Sequence, residues 1–140
     1  MSAGVEPAWT LVSPSAYNVV SCWYPFSDST NPGPALRPAL ILTVFKGDVS
    51  GNFACRVAYG TTNLKLIQRR HLDLIIQDPT SLAQIGLARP TRFDLDNLAT
   101  LPWSQRFFGC WNRRSSPILG TLTEYYLKEY AFLMMRRGSI

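Results

Sequence analysis

The chain has 140 residues, of which 46% are hydrophobic, and this composition is typical of one globular domain rather than of a disordered chain. Its three cysteines, Cys22, Cys55 and Cys110, are odd in number and far apart, which argues against a disulfide framework and against a zinc site. Residues 1–14 lack the pattern of a secretory signal, and no apolar run approaches the length of a membrane span. We therefore expect a cytoplasmic protein, not associated with a membrane, that holds no metal ion or other cofactor.

The formal net charge of +5 is distributed unevenly along the chain. Residues 1–36 contain no Lys or Arg, so the remainder of the chain carries the whole basic excess. Such an excess is compatible with an anionic partner, of which nucleic acid is the most common. From charge alone, an ordinary solvated basic surface is an equally good interpretation.

The first elements along the chain are predicted to be strands. Residues 17–24 indicate a first strand. Residues 25–34 contain three prolines and a cluster of short polar side chains, which is typical of an exposed loop. Residues 39–45 form the longest apolar run, and this pattern suits a strand that is buried on both faces at the centre of a sheet.

A hairpin is predicted at the next strand. Residues 53–59 alternate between apolar and polar or small side chains, as a half-buried strand does. The stretch before them, residues 46–52, supplies two glycines and several short polar residues, so the two strands are expected to fold back on each other through a long loop. Because a hairpin returns its ends to one place, Arg37 and Thr61 should lie near each other at its open end.

The second half of the chain mixes strands with a short helix. Residues 72–76 and 91–98 are predicted to be strands. Between them, residues 78–86 begin with an aspartate N-cap and an N1 proline and end with a C′ glycine, which predicts a helix of one or two turns. Residues 101–117 are aromatic and irregular, and we assign them no element.

The last element is predicted to be a helix. Residues 121–124 have the spacing of a capping box, and the apolar residues that follow recur at helical intervals. Arg136 and Arg137 suit the negative end of the helix, and Gly138 ends it.

Three short motifs follow one another in the chain, RPALIL at residues 37–42, AYGTTN at 58–63 and GLARPTRFDLDNL at 86–98. In this order and spacing they resemble signatures of the MazF/PemK-type toxin endoribonucleases. The resemblance implies a mainly β (α+β) fold, an SH3-like, partly open β-barrel of MazF/PemK type with short helices and a C-terminal helix. It also implies a single domain over residues 1–140, in which residues 1–16 are an N-terminal extension and residues 119–137 form the C-terminal helix.

RNA can be cleaved without a metal because its own 2′-OH attacks the adjacent phosphorus. The protein then has to stabilise the charge that develops on the phosphorane. A planar guanidinium such as that of Arg37 suits this role, and a threonine hydroxyl beside a glycine can hydrogen-bond a phosphate oxygen. What the resemblance implies is a metal-independent endoribonuclease with Arg37 and Thr61 as catalytic residues, Thr62 as the reserve choice, and a cyclic phosphate and a 5′-hydroxyl as products.

The same resemblance implies a substrate and partners. The loop at residues 25–34 is expected to cover the substrate groove, with Phe26, Asp28 and Asn31 in contact with RNA. The remaining predicted RNA contacts lie on and after the threonine loop: Asn63, Lys65, Arg69 and Arg92. The implied partners are single-stranded RNA, a second copy of the chain in a homodimer, and an antitoxin or other protein.

Other interpretations of these residues stay open. Without the resemblance, Arg37 is more readily an ordinary loop arginine, and the two threonines are more readily a turn cap. His71 is the only histidine, but a lone histidine in a basic and apolar stretch is more often a structural or surface residue than a general base. A second hypothesis is a non-catalytic module of the same fold, of phage or mobile-element origin, that binds a host protein or RNA without cutting it.

Overall fold

The computed structural model describes residues 8–26, 29–48, 52–64, 72–111 and 114–138. Among these residues, six strands form one antiparallel sheet, curled into a half-barrel, with the strand order β4-β5-β3-β2-β1-β6. The strands are β1 (Asn18–Cys22), β2 (Arg37–Lys46), β3 (Phe53–Thr61), β4 (Leu74–Ile76), β5 (Thr91–Pro102) and β6 (Ile118–Thr121), and the helices are α1 (Pro79–Ile85) and α2 (Glu124–Arg136). The prediction of a mainly β, barrel-like fold is confirmed at this level.

The predicted hairpin is present. Strands β2 and β3 pair antiparallel, and the backbone N–H of Gly47 donates to the carbonyl of Asn52 at 2.9 Å across the loop. Strand β2 lies between β1 and β3 inside the sheet, and the side chains of Leu40 and Ile41 are fully buried. The prediction that this apolar run forms a central strand is therefore confirmed, but burial on both faces holds only for residues 39–41, since Thr43 and Phe45 are exposed.

Strand β5 is longer than predicted and its pairing with β3 is interrupted by a bulge. Ala58 of β3 lies opposite Leu98, whereas the next residue, Tyr59, lies opposite Asp94. Residues 95–97 therefore have no counterpart on β3 and form a wide bulge, and bulges of this kind bend a strand. The second half of β5 consequently diverges from the direction of its first half.

The two faces of the sheet are covered by different elements. One face packs against α1 and α2, whose buried side chains include Leu82, Ile85 and Leu133. The other face packs against the aromatic segment after β5, in which Trp103 and Phe108 are almost completely buried. The aromatic segment, to which the sequence analysis assigned no helix or strand, thus covers the second apolar face of the sheet.

The helix at residues 79–85 has the predicted caps. The Asp78 carboxylate accepts a hydrogen bond from the backbone N–H of Ser81 at 3.0 Å, Pro79 is the first helical residue, and Gly86 adopts the left-handed conformation with φ of 89°. Neither of the two described helices is long and apolar enough to cross a membrane.

The predicted start of the C-terminal helix is wrong. The helix begins at Glu124 rather than at residue 119 or 121, because residues 118–121 form the edge strand β6 along β1. The Asn18 side-chain amide donates to the Thr121 hydroxyl at 2.9 Å, so this hydroxyl holds the strand instead of capping the helix. Thr123 is the N-cap, with no side-chain hydrogen bond to the helix. At the other end, Gly138 has the expected positive φ, at 76°.

The three cysteines are free thiols, of which Cys22 and Cys55 are buried and Cys110 is half-buried. Burial raises the pKa of the Cys55 thiol to about 12. Burial raises the pKa of Cys22 still more, and the neighbouring Cys55 adds to that rise. Both thiols therefore stay protonated and unreactive near neutral pH.

A buried ion network joins α2 to β5. The Arg92 guanidinium donates to Asp73 at 2.9 Å, and the second oxygen of Asp73 accepts from the backbone N–H of Leu95 at 3.2 Å. Arg137, just after α2, donates to the Leu72 carbonyl at 3.0 Å and to the Asp96 carboxylate. Burial raises the pKa of Asp73 above its usual value, although the bonds from Arg92 and Leu95 oppose the rise. Burying these charges costs free energy, so the network stabilises the fold only while every charged group in it has its partner.

We expect Asp73→Asn to lower the free energy of unfolding by about 3 kcal/mol, because it removes the nearest counter-charge of the buried Arg92 and leaves the more distant Asp94, at 3.9 Å, to offset it. Urea denaturation followed by far-UV circular dichroism measures this change. The matched control is Asp78→Asn, the same substitution at an exposed N-cap where asparagine serves as well as aspartate, with an expected loss below about 0.5 kcal/mol. Equal losses in the two variants would contradict the structural role of the network.

Candidate functional site

A groove of about 690 Å³ opens at the end of the sheet where β2 begins and β3 ends. Its walls come from these two strand ends, from α1 and the turn after it, and from β6 and residues ahead of it. The volume is within the range of cavities that bind small organic ligands, which is roughly 300–1,000 Å³. We refer to this cavity as the groove.

The groove opens here because the ladder between β2 and β3 stops. Its last pair is Ala39 opposite Tyr59, and the next residue of β2, Pro38, has no N–H to donate to β3. On the other side, Pro38 lies opposite Ser21, whose N–H and carbonyl bond to Pro117 and Gly109 instead. An interior strand therefore tolerates a proline at this position, and the strand ends are free to diverge beyond it.

Gly60 is required at the same place. A Cβ atom at this position would overlap the carbonyl oxygen of Pro38 and would crowd the ring of Phe93 at 3.0 Å. Only a glycine lets the two backbones approach so closely. The pair of Pro38 and Gly60 thus sets the geometry of the residues on either side, Arg37 and Thr61.

Arg37 lies on the wall of the groove, as its sequence position predicts. Arg37 is the first residue of β2 and pairs with Cys22 of β1, and its side chain is exposed. The guanidinium carbon is 5.8 Å from the ring centroid of Tyr59, a cation–π contact that orients the side chain. A permanently charged, five-donor group is therefore held at the open end of the hairpin.

Thr61 and Thr62 line the same groove. Thr61 is buried, and its Oγ1 accepts a hydrogen bond from the backbone N–H of Asn63 at 3.1 Å. A hydroxyl that accepts one bond still has its own proton to donate. Thr62 is exposed and is held less firmly. The structure therefore brings Arg37 and both threonines to one cavity, with Thr61 the better positioned donor.

The ion network reaches the groove through Arg92. The Arg92 Nε donates to the carbonyl of Asn63 at 3.3 Å, and the N–H of Asn63 donates to Thr61. Arg92 is also the residue of β5 directly opposite Thr61. The position of the Thr61 hydroxyl thus depends on a buried ion pair that does not itself line the groove.

Two further arginines line the groove, and sequence reasoning did not assign them to the site. Arg89, in the turn after α1, and Arg114, ahead of β6, are both exposed. With Arg37 they place three positive charges around the cavity, and none of the described residues that line it is an Asp or Glu. Trp111, 52% exposed, completes this wall. The groove is suited to an anion that carries an aromatic or apolar portion.

The predicted RNA contacts at Asp28, Lys65 and Arg69, together with His71, lie outside the described residues. Asn31 is exposed, but its side-chain oxygen accepts from Arg106 at 2.8 Å, and Asn31 does not line the groove. Asn63 is exposed beside the groove, where its backbone carries the bonds described above.

Two expectations about the RNA contacts do not fit the structure. The side chain of Arg92 is 7% exposed and bonded to Asp73, so its charge serves the fold and is not available to a phosphate. No described residue of the loop at 25–34 lines the groove. Phe26 and Ser29 of this loop instead line a second cavity of about 290 Å³, beside the bulge of β5. The Tyr24 hydroxyl, bonded to the Asn97 carbonyl at 2.9 Å, fixes the start of the loop on that side.

Three carboxylates, of Asp73, Asp94 and Asp96, approach within 4.8 Å of one another. Arg92 contacts the first two, at 2.9 and 3.9 Å, and Arg137 contacts the third. Each carboxylate of the cluster thus already contacts a guanidinium group, and the two arginines offset two of its three negative charges. We assign it to the stabilisation of α2 on the sheet and not to a metal ion.

The comparisons with known proteins do not identify a family for this chain. Neither protein-family models nor curated proteins match the sequence. The groove and its residues are therefore the basis for a functional assignment.

Proposed function

We propose that the protein is a metal-independent endoribonuclease that cleaves single-stranded RNA in the groove. The observation that supports this most is the convergence of Arg37 and Thr61 on one cavity that Arg89 and Arg114 also line. A phosphodiester is the anion that such a set of donors fits, since guanidinium groups bind phosphate oxygens in pairs. The similarity of the motifs to MazF/PemK-type toxins supports the same assignment, and in this proposal the half-barrel is of that type.

The reaction follows from the groups at the groove. The 2′-oxygen attacks the adjacent phosphorus, the bond from phosphorus to the 5′-oxygen breaks, and a cyclic phosphate and a 5′-hydroxyl result. Arg37 stabilises the negative charge on the two non-bridging oxygens, and the Thr61 hydroxyl donates to one of them. Because the groove is open to solvent, water takes the proton from the 2′-oxygen and returns one to the 5′-oxygen.

We expect the purified protein to cleave a mixed-sequence, single-stranded RNA in the presence of EDTA. Arg37→Ala should lower the cleavage rate by roughly 10²–10³-fold, as loss of a main electrostatic donor does. The rate is measured on a 5′-labelled oligonucleotide by gel electrophoresis, and a fully 2′-deoxy version of it should remain intact, because it lacks the nucleophile.

The matched control for Arg37→Ala is Arg56→Ala. Arg56 is also an exposed arginine of the sheet, bonded to the Thr100 hydroxyl at 3.1 Å, and it does not line the groove. Loss of cleavage in both variants, or cleavage that requires Mg²⁺, would contradict the proposal. If the wild-type protein cuts no RNA at any concentration, the alternative of a non-catalytic interaction module takes its place.

The two threonines can be separated by removal of one hydroxyl at a time. We expect Thr61→Val to lower the cleavage rate by roughly 10- to 100-fold, because one hydrogen bond to a charged group is lost. Thr61→Ser should retain most of the activity, and Thr62→Val should leave the rate close to that of the wild type. If Thr62→Val lowers the cleavage rate more than Thr61→Val does, Thr62 rather than Thr61 is the donor.

The proposed enzyme acts as a homodimer in the cytoplasm, and α2 offers a self-complementary surface for this. Tyr125, Phe132 and Met135 are 64%, 54% and 65% exposed and lie on one side of the helix. If two copies of α2 pack antiparallel about a two-fold axis level with residue 130, Tyr125 faces Met135 of the other copy and the exposed Glu124 faces Arg136. Phe132 then faces the exposed Lys128 of the other copy, whose aliphatic stem covers the ring. The described residues carry no feature that identifies an antitoxin.

We expect Phe132→Lys to convert the dimer to a monomer, as measured by size-exclusion chromatography with light scattering. Phe45→Lys, a similar change at a phenylalanine that is 46% exposed on β2, is the control and should remain dimeric. Glu124→Arg should weaken the dimer by like-charge repulsion with Arg136, and the double variant Glu124→Arg with Arg136→Glu should restore it. A wild-type monomer, or failure of the double variant to recover, would rule out this interface.

A further inference from the structure

Trp111 is an exposed tryptophan on the wall of the groove. Large aromatic side chains bury most of their surface in folded proteins, and Trp103, in the same segment, is only 1% exposed. Trp111 is 52% exposed and faces a cavity that three arginines line. This environment is unusual for a residue whose role is core packing.

The backbone that carries Trp111 is fastened to the sheet. The N–H of Trp23 donates to the Phe107 carbonyl at 2.7 Å, and the N–H of Gly109 donates to the Ser21 carbonyl at 3.2 Å. Phe108 forms a bridge with Cys22 between these bonds and is fully buried. The backbone is therefore fixed on the sheet up to two residues before Trp111, which limits the chain freedom that is lost when the indole binds a ligand.

Trp111 lies at the groove together with groups that bind phosphate. Cys22, which pairs with Phe108, is also the residue opposite Arg37 on β2. The N–H of Arg114 donates to the Trp111 carbonyl at 3.1 Å, so the backbones of the tryptophan and of a second arginine lie next to each other. An aromatic face beside two guanidinium groups is the arrangement that single-stranded nucleic acid requires, since each nucleotide offers one base and one phosphate.

We infer that Trp111 is the base-stacking platform of the groove and that it selects unpaired over paired RNA. This inference rests on the proposed function and identifies how the same site recognises its substrate. The indole stacks on one base of a single strand while Arg37 and Arg114 hold the phosphates next to it. In a duplex, the faces of the bases are already stacked on their neighbours, so duplex RNA cannot use this platform.

The test measures binding separately from cleavage. The probe is a fluorescein-labelled, single-stranded RNA octamer with 2′-O-methyl groups throughout, which cannot be cleaved by 2′-OH attack, and the readout is fluorescence anisotropy at fixed salt. Trp111→Ala should raise Kd by roughly 5- to 150-fold, the range measured for loss of one base–aromatic stack. Trp111→Tyr should recover most of the affinity, because a second aromatic ring replaces the first. Binding should also quench tryptophan fluorescence in the wild type and not in Trp111→Ala.

Phe26→Ala is the matched control, since Phe26 is 64% exposed and lines the second cavity. It should bind the octamer as the wild type does, and a duplex of the same sequence should compete poorly. An unchanged Kd in Trp111→Ala overturns the stacking role, and RNA cleavage by the wild type would then still stand. Tight, Trp111-dependent binding without any RNA cleavage would instead overturn the nuclease proposal and keep the platform. A wild-type protein that does not bind the octamer overturns the platform outright.

Discussion

The buried contact between Asp73 and Arg92 is the interaction on which the rest of the structure depends. Through Arg137 it fastens the end of α2 to the sheet, and through the Asn63 backbone it holds the hydroxyl of Thr61. Burial opposes the charge on Asp73, so the network stabilises the fold only as a complete set. The complete network requires one packing of α2 on the sheet. Through the Asn63 backbone, the same network also fixes the position of the Thr61 hydroxyl at the groove.

The groove follows from a backbone constraint rather than from a special loop. Pro38 ends the hydrogen bonding between two central strands, and Gly60 lets the same two strands approach each other closely. Beyond these residues the strand ends separate, and α1 closes the opening from one side by means of the left-handed turn at Gly86. Arg37 and Thr61 are directly adjacent to these two residues in the chain, so their positions are set by rigid elements.

The sequence predicted those parts of the structure that local chemistry determines. The hairpin and α1 carry strong signals within a few residues, namely apolar runs, turn residues and caps, and both were correct. The edge strand β6 has only four residues and no alternation, so only its pairing with β1 defines it. Arg92 and Arg89 are three residues apart in sequence, yet one is buried in an ion pair and the other lines the groove. Arg92 lies on β5 against Asp73, whereas Arg89 lies in the turn before the strand, and the pairing of Arg92 with Asp73 is a long-range contact that spacing does not reveal.

The segment from Trp103 to Trp111 has two structural roles. Its first part packs on the second apolar face of the sheet, and its last residue lines the groove. A deletion here that widened the binding surface would also uncover hydrophobic core. The shape of the groove and the stability of the core are therefore coupled through this segment. A change of ring at Trp111, its exposed last residue, alters the groove and leaves the buried rings of the segment in place.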